Sequence, residues 1–173
     1  TTNECDITSR YRFGYNYISS LNPTVDIIAL IENDDWYSPD YLETMVKAWE
    51  SFGRPDLLGT NYTIYYHLKL KAYFTMQHEQ RASAMNTLIR PGLEFPWCQD
   101  NEPYTDEHLW NTIQNRIVFH PHKHISIGMK HGVGKCGGRS HVDRLNRYTE
   151  PDNGFLEKTV DAESFKFYST IQL

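Results

Sequence analysis

Three groups of residues in this sequence have types and spacings suited to chemistry. Glu32-Asn33-Asp34-Asp35 brings three carboxylates and one amide into consecutive positions. Such a density of negative charge costs Coulomb energy unless a cation offsets it. Hard oxygen donors suit Mg2+ or Mn2+, which typically keep open positions for phosphate oxygens. The competing reading is a solvated acidic loop that caps the next helix; at the end of a buried strand the two are comparable.

The second group is Lys130, His131, Lys135 and Arg139, threaded through Gly132, Gly134, Gly137 and Gly138. A basic, glycine-rich loop can wrap a diphosphate with backbone N–H groups and cations. His131 is also a candidate metal ligand, since imidazole accepts Mn2+, though less readily than Zn2+. A plain surface loop is the rival reading. The third group is Asp106-Glu107, where a carboxylate at a helix start can act as general base toward an attacking hydroxyl. The same acid also serves, more simply, to complement the helix dipole. The run His120-Pro121-His122-Lys123-His124 lacks a cysteine or acid to complete a zinc site and is expected to be structural or surface.

Periodicity indicates the elements that must position these groups. Ser9 to Leu21 predicts a short helix with Tyr11, Tyr15 and Ile18 on one side, broken by Asn22-Pro23. Val25 to Ile31 is almost unbroken apolar sequence and predicts a central strand covered on both faces, as in a parallel sheet. It runs straight into the acidic cluster, and open α/β sheets bind ligands at the carboxyl ends of their strands. Ser38-Pro39-Asp40 reads as a helix start, and Leu42, Met45, Val46 and Trp49 recur at helical spacing up to Gly53. Tyr62 to Met76 alternates like a half-buried strand, but it is too long for one, so a bend or break is expected. Ser83 to Ile89 predicts a short strand and Pro91 to Pro103 a loop. Thr105 opens a helix carrying Leu109, Trp110 and Ile113. Strands are expected at Ile117–Phe119 and His124–Met129, then a turn at Pro151–Gly154 and a helix from about Glu157 to Tyr168.

The chain has the length of one ordinary domain, residues 1–173, long enough to bury a core. No stretch approaches the ~20 apolar residues of a membrane span, and none has the pattern of a signal peptide. A net charge of -5 argues against general nucleic-acid binding. Cys5, Cys98 and Cys136 form no CxxC pair and predict a reducing compartment, hence a cytoplasmic location. The opening Thr-Thr leaves processing or truncation upstream open. Trp36, Trp97 and Trp110 suit either stacking on a sugar face or a place in the core.

Residues 26–42, DIIALIENDDWYSPDYL, resemble the strand, acidic motif and helix of family 2 GT-A glycosyltransferases, whose pattern is an apolar strand, D-x-D-D, an aromatic and P-x-(Y/F)-L. Thr105-Asp106-Glu107-His108-Leu109-Trp110 is similar to that family's E-D-x-x-L-W segment, whose aspartate is the usual catalytic base of inverting members. Lys130 to Arg139 looks like the C-terminal lid over the donor diphosphate, near which a histidine completes the metal site in some GT-A enzymes. The resemblance covers roughly Arg12 to Arg139. It departs at Glu32, one methylene longer than the usual aspartate, and at Thr105, which replaces a glutamate. The family's opening strand, which holds the nucleotide base, has no counterpart, so either the chain is a fragment or the base is held some other way.

The resemblance implies an α/β fold of GT-A type, a Rossmann-like mixed sheet flanked by helices and incomplete at the N-terminus, with a lid and tail from about residue 130. It implies transfer of a sugar from a UDP- or GDP-sugar donor to a hydroxyl of a glycan, protein or small molecule, with Mn2+ or Mg2+. Asp34 would be the main metal ligand, aided by Glu32, Asp35 and His131. Lys130, Lys135 and Arg139 would share the diphosphate charge, and Asp106 would take the acceptor proton. The rivals are a non-catalytic glycan- or nucleotide-binding remnant and a metal-dependent phosphodiesterase.

Overall fold

In the computed structural model, which describes residues 6–21, 24–100, 102, 104–132 and 145–171, the first predicted helix is α1 (Ile7–Leu21). Asp6 fastens its start, accepting from Arg10 N–H on its carbonyl and pairing with the Arg10 guanidinium one turn on. Tyr15 is the buried centre of the predicted apolar side. Its hydroxyl donates to the Arg90 carbonyl and accepts from Leu93 N–H, both at 2.8 Å.

The chain divides into two compact units: residues 1–32, 42–61 and 78–120 form one, and residues 33–41, 62–77 and 121–173 the other. Each has its own mixed sheet with helices beside it, so the fold class is α/β.

The first unit carries β1 (Ile28–Ala29), β3 (Leu57–Thr60), β6 (Thr87–Ile89) and β7 (Arg116–Phe119), in the order β1-β6-β3-β7. Only β3 and β7 run parallel. The expected central strand from Val25 to Ile31 is therefore corrected. Only Ile28 and Ala29 pair, at a sheet edge and antiparallel to β6. Ile28 and Leu30 point into the core while Ile31 is 45% exposed, so one face is covered rather than two. The central place goes to β6 and β3, whose residues are all buried.

Helix α2 (Tyr41–Ser51) begins after Ser38-Pro39-Asp40 and ends before Gly53, whose φ of 78° is the left-handed conformation that suits glycine. Its buried line is Tyr41, Met45 and Trp49, one turn apart; Leu42 faces solvent instead. Helix α3 (Thr105–Thr112) buries Thr105, Leu109 and Trp110. The Trp110 indole donates to Thr87 Oγ1 at 3.1 Å, which makes this tryptophan a core residue. Gly59 in β3 makes this packing possible. A Cβ there would lie 2.4 Å from Ala82 Cβ, 2.7 Å from the Asn86 carbonyl oxygen and 2.8 Å from the Trp110 ring.

The second unit carries β2 (Trp36–Tyr37), β4 (Tyr62–His67), β5 (Ala72–Gln77), β8 (Ser126–Lys130) and β9 (Glu150–Pro151), in the order β2-β8-β4-β5-β9. The expected break in the long alternating segment is the β4–β5 hairpin turn, closed by Lys71 N–H to the His67 carbonyl with Lys71 at φ 48°. β4 and β8 pair in parallel and bring His67 beside Lys130. The predicted final helix is two, Phe155–Thr159 and Ala162–Thr170. Asp161 interrupts them because its side chain caps the second, accepting from Ser164 N–H. Trp36, Ile64, Tyr66, Ile127, Met129, Leu156 and Val160 form this unit's core.

No helix among the described residues is long and apolar enough to cross a membrane.

Candidate metal centre and candidate catalytic acid

The acidic tetrapeptide sits between β1 and β2, with Asn33 and Asp34 in a turn. Glu32, Asp34 and Asp35 each offer a carboxylate oxygen, and these atoms lie within 4.8 Å of one another. Among the described residues this is the one group of three or more His, Cys, Asp or Glu side chains placed to hold an ion. The division between the units falls inside it, after Glu32, but the grouping is local to four consecutive residues. An octahedral Mg2+ with oxygens at about 2.1 Å spaces neighbouring ligands about 3.0 Å apart and opposite ones about 4.2 Å, so the carboxylates would have to draw together around an ion. The all-oxygen donor set fits Mg2+ or Mn2+.

The acids are not equivalent. Asp35 is 8% exposed, and its Oδ1 accepts from Met129 N–H at 2.7 Å, which ties it to β8. Asp34 has a side chain 46% exposed, turned outward. His131 follows β8, and its Nε2 lies 3.4 Å from Asp34 Oδ2, an ion pair whenever the imidazole is protonated. Of the residues named from the sequence, Glu32, Asp34 and Asp35 group within four consecutive positions and His131 lies beside Asp34.

Lys130 differs from expectation. It ends strand β8, is 6% exposed, and holds its ammonium 5.3 Å from the centre of the Tyr65 ring. The parallel pairing of β8 with β4 takes it out of the predicted loop. Gly132 follows at φ 78°. Lys135 and Arg139 lie outside the described residues.

Asp106, in the other unit, opens α3. Its Oδ2 accepts from Arg81 Nη1 at 2.8 Å, with side chains 21% and 30% exposed respectively. Burial pushes the Asp106 carboxyl above its ordinary range; the Arg81 guanidinium, the Glu107 N–H and the His78 imidazole oppose it. His78 is held by its N–H to the Asn61 carbonyl at 2.7 Å. Burial first, then Arg81, pushes its imidazole down, while Asp106 pulls it up. Glu107, beside it, is exposed.

Sequence reasoning missed Arg81, His78, His67 and Tyr168. Arg81 and Asp106 are far apart along the chain, and no local pattern links them. His67 is 4% exposed although alternation assigns it to the polar side, and the Leu70 N–H reaches its Nδ1 at 3.4 Å. Burial, then the His131 charge, pushes its imidazole down. Tyr168 lies against the acidic turn, and burial first, then Asp35 and Asp34, pushes its phenol up to about 12. It therefore remains a donor at physiological pH. The histidine run plays the structural part expected of it: His124 stacks on Tyr62, and His120 bonds Asn61 Oδ1 at 3.1 Å. Cys98 is buried and free.

Geometrically, the chain thus offers a cluster of three carboxylates with an imidazole beside one of them, and separately a raised, partly shielded carboxyl at a helix start. No protein-family model, no curated protein and no solved structure matches this chain.

Proposed function

We propose that this protein is a GT-A-type glycosyltransferase that moves a sugar from a UDP- or GDP-sugar to a hydroxyl acceptor with Mn2+ or Mg2+. The observation that carries this reading is the grouping of Glu32, Asp34 and Asp35 with His131 3.4 Å from Asp34. A cation bound there supplies Lewis-acid stabilisation of the charge that builds on a leaving diphosphate. Asp34 and Glu32 would hold it, with Asp35 fixing the turn through Met129 and His131 completing the donor set. Lys130 ends β8 next to His131 with its ammonium over the Tyr65 ring, and it would have to swing off that ring to share the diphosphate charge.

Asp106 takes the base role that the resemblance implies. It accepts the acceptor hydroxyl's proton as that oxygen bonds to the anomeric carbon and the bond from that carbon to the diphosphate oxygen breaks. Attack opposite the leaving group inverts the anomeric configuration. A carboxyl raised by burial is a better base than an ordinary one. A retained configuration in the product would remove Asp106 from this role.

One observation favours a second reading, a nucleotide- or glycan-binding module without turnover: the Arg81 guanidinium already occupies Asp106. Release of free sugar or nucleotide from a donor separates the two.

Calorimetric titration with UDP and with GDP, each with and without Mn2+, tests the donor site directly. Metal-dependent binding that Asp34→Ala abolishes is the expected result, and it also identifies the base. No heat with either nucleotide in the presence of Mn2+ sinks the donor-site reading.

A further inference from the structure

The helix Ala162–Thr170 reaches the acidic turn from both of its ends. At its start Asp161 accepts from Ser164 N–H at 2.9 Å and Ser164 Oγ at 2.7 Å. The same carboxylate accepts the Trp36 indole N–H at 3.1 Å. Trp36 directly follows Asp35 and is 4% exposed, so this bond fixes the trailing end of the turn. In the last helical turn the Tyr168 hydroxyl donates to the Asp34 carbonyl at 3.5 Å. Phe165 and Tyr168 also pack on the core that contains Trp36, Ile127 and Met129.

The acidic residues have an electrostatic reason to need such anchors. Residues 31–35 belong to no helix or strand, and the last ladder bond before them is Leu30 N–H to the Thr87 carbonyl at 3.0 Å. Their carboxylates repel one another whenever no cation sits between them, and that repulsion favours opening the turn. Asp35 is restrained by Met129 N–H. The side chain of Asp34 faces His131 Nε2 at 3.4 Å, so its position depends on that contact and on its own main chain.

We propose that this helix clamps the acidic turn, with Tyr168 a positioning residue that fixes the Asp34 backbone and so keeps its carboxylate grouped with those of Glu32 and Asp35. The consequence for metal affinity rests on the metal reading above; the clamp itself rests on the hydrogen bonds and packing. Tyr168 touches no reacting atom in this proposal. It preorganises ligands, lowering the cost of gathering three like charges around an ion.

Two measurements on the full chain separate the clamp from its consequence. Tyr168→Phe keeps the ring and removes only the hydroxyl. Amide hydrogen exchange at Asn33 to Trp36 is expected to speed up several-fold in this variant, with β4 and α2 unchanged. Mn2+ titration followed by the electron paramagnetic signal of the free ion is expected to show Kd raised about two-fold, the lower end for one hydrogen bond as befits its 3.5 Å length. Trp36→Phe, which removes the other anchor, should move both readouts in the same direction. Phe165→Leu loosens the packing of the same helix and should move both readouts in the same direction as Tyr168→Phe, beside a lower thermal stability. Unchanged exchange at Asn33 to Trp36 in Tyr168→Phe overturns the clamp. Faster exchange with unchanged Mn2+ affinity overturns the positioning role. A wild-type chain that takes up no Mn2+ sinks the metal reading instead, and the exchange result still decides the clamp.

Discussion

Asp106 and Asp34 are aspartates in two different units, and their surroundings treat negative charge differently. Asp106 is 21% exposed and has the Arg81 guanidinium at 2.8 Å, a partner that is cationic at every accessible pH. Asp34 is 46% exposed, grouped with two further carboxylates, and its basic neighbour is His131 at 3.4 Å. An imidazole supplies charge only when protonated. The first arrangement is neutralised from within the chain. The second gathers more negative charge than one histidine offsets, an imbalance that the divalent cation of the proposed function would correct. At the effective dielectric of a protein surface each like-charge pair at such a separation costs on the order of 3 kcal/mol. Solvent around Asp34 reduces that cost, and the Met129 N–H holds Asp35 in place against what remains.

The largest expected effect breaks the comparison on the Asp106 side. Asp106→Asn should lower sugar transfer by about 10²–10⁴-fold while leaving Mn2+-dependent nucleotide binding intact, read by product formation beside calorimetry. Transfer that survives the substitution would assign the proton elsewhere. Next is the seat of the helix that carries Asp106. Gly59→Ala forces a methyl into Ala82, the Asn86 carbonyl and Trp110, and should destabilise the fold by about 3 kcal/mol in denaturant titration. An unchanged midpoint would mean that Trp110 does not pack on β3 as described.

A smaller effect sharpens the difference. Arg81→Ala removes the largest influence that opposes burial, so the Asp106 carboxyl should rise further. The acidic limb of the pH–rate profile then moves to higher pH, and stability changes by no more than about 1 kcal/mol because the pair is partly exposed. A limb that stays in place would show that another group controls it. The smallest effect lies in the other unit. His67 is pushed below its ordinary value of 6.5 by burial, so the folded state disfavours its protonation. Stability is present above pH 6.5 and is lost as pH falls through that value toward the lowered folded one. His67→Gln should flatten this part of the stability curve; an identical slope in both proteins would assign the titration to another group.

The sequence by itself determined what is local. The acidic tetrapeptide is grouped because its carboxylates are covalent near neighbours, and the start and length of α2 follow from the residues around Pro39 and Gly53. The alternation from Tyr62 to Met76 predicted both the strand character and the need for a break. Helix α3 began where its acids indicated. Only the tertiary structure decided what depends on partners distant in the chain. An apolar run such as VDIIALI has the composition of a central strand, but whether it gains one neighbour or two depends on where β6 and β3 pair, which periodicity does not encode. Arg81 reached Asp106, and Tyr168 and Trp36 joined the final helix to the acidic turn, through packing of separate segments. Lys130 left its expected loop because register with β4 extended β8 by a residue. Local propensity writes the elements and their caps into the sequence. Charge compensation is decided by which side chains tertiary packing brings within a few ångströms of one another.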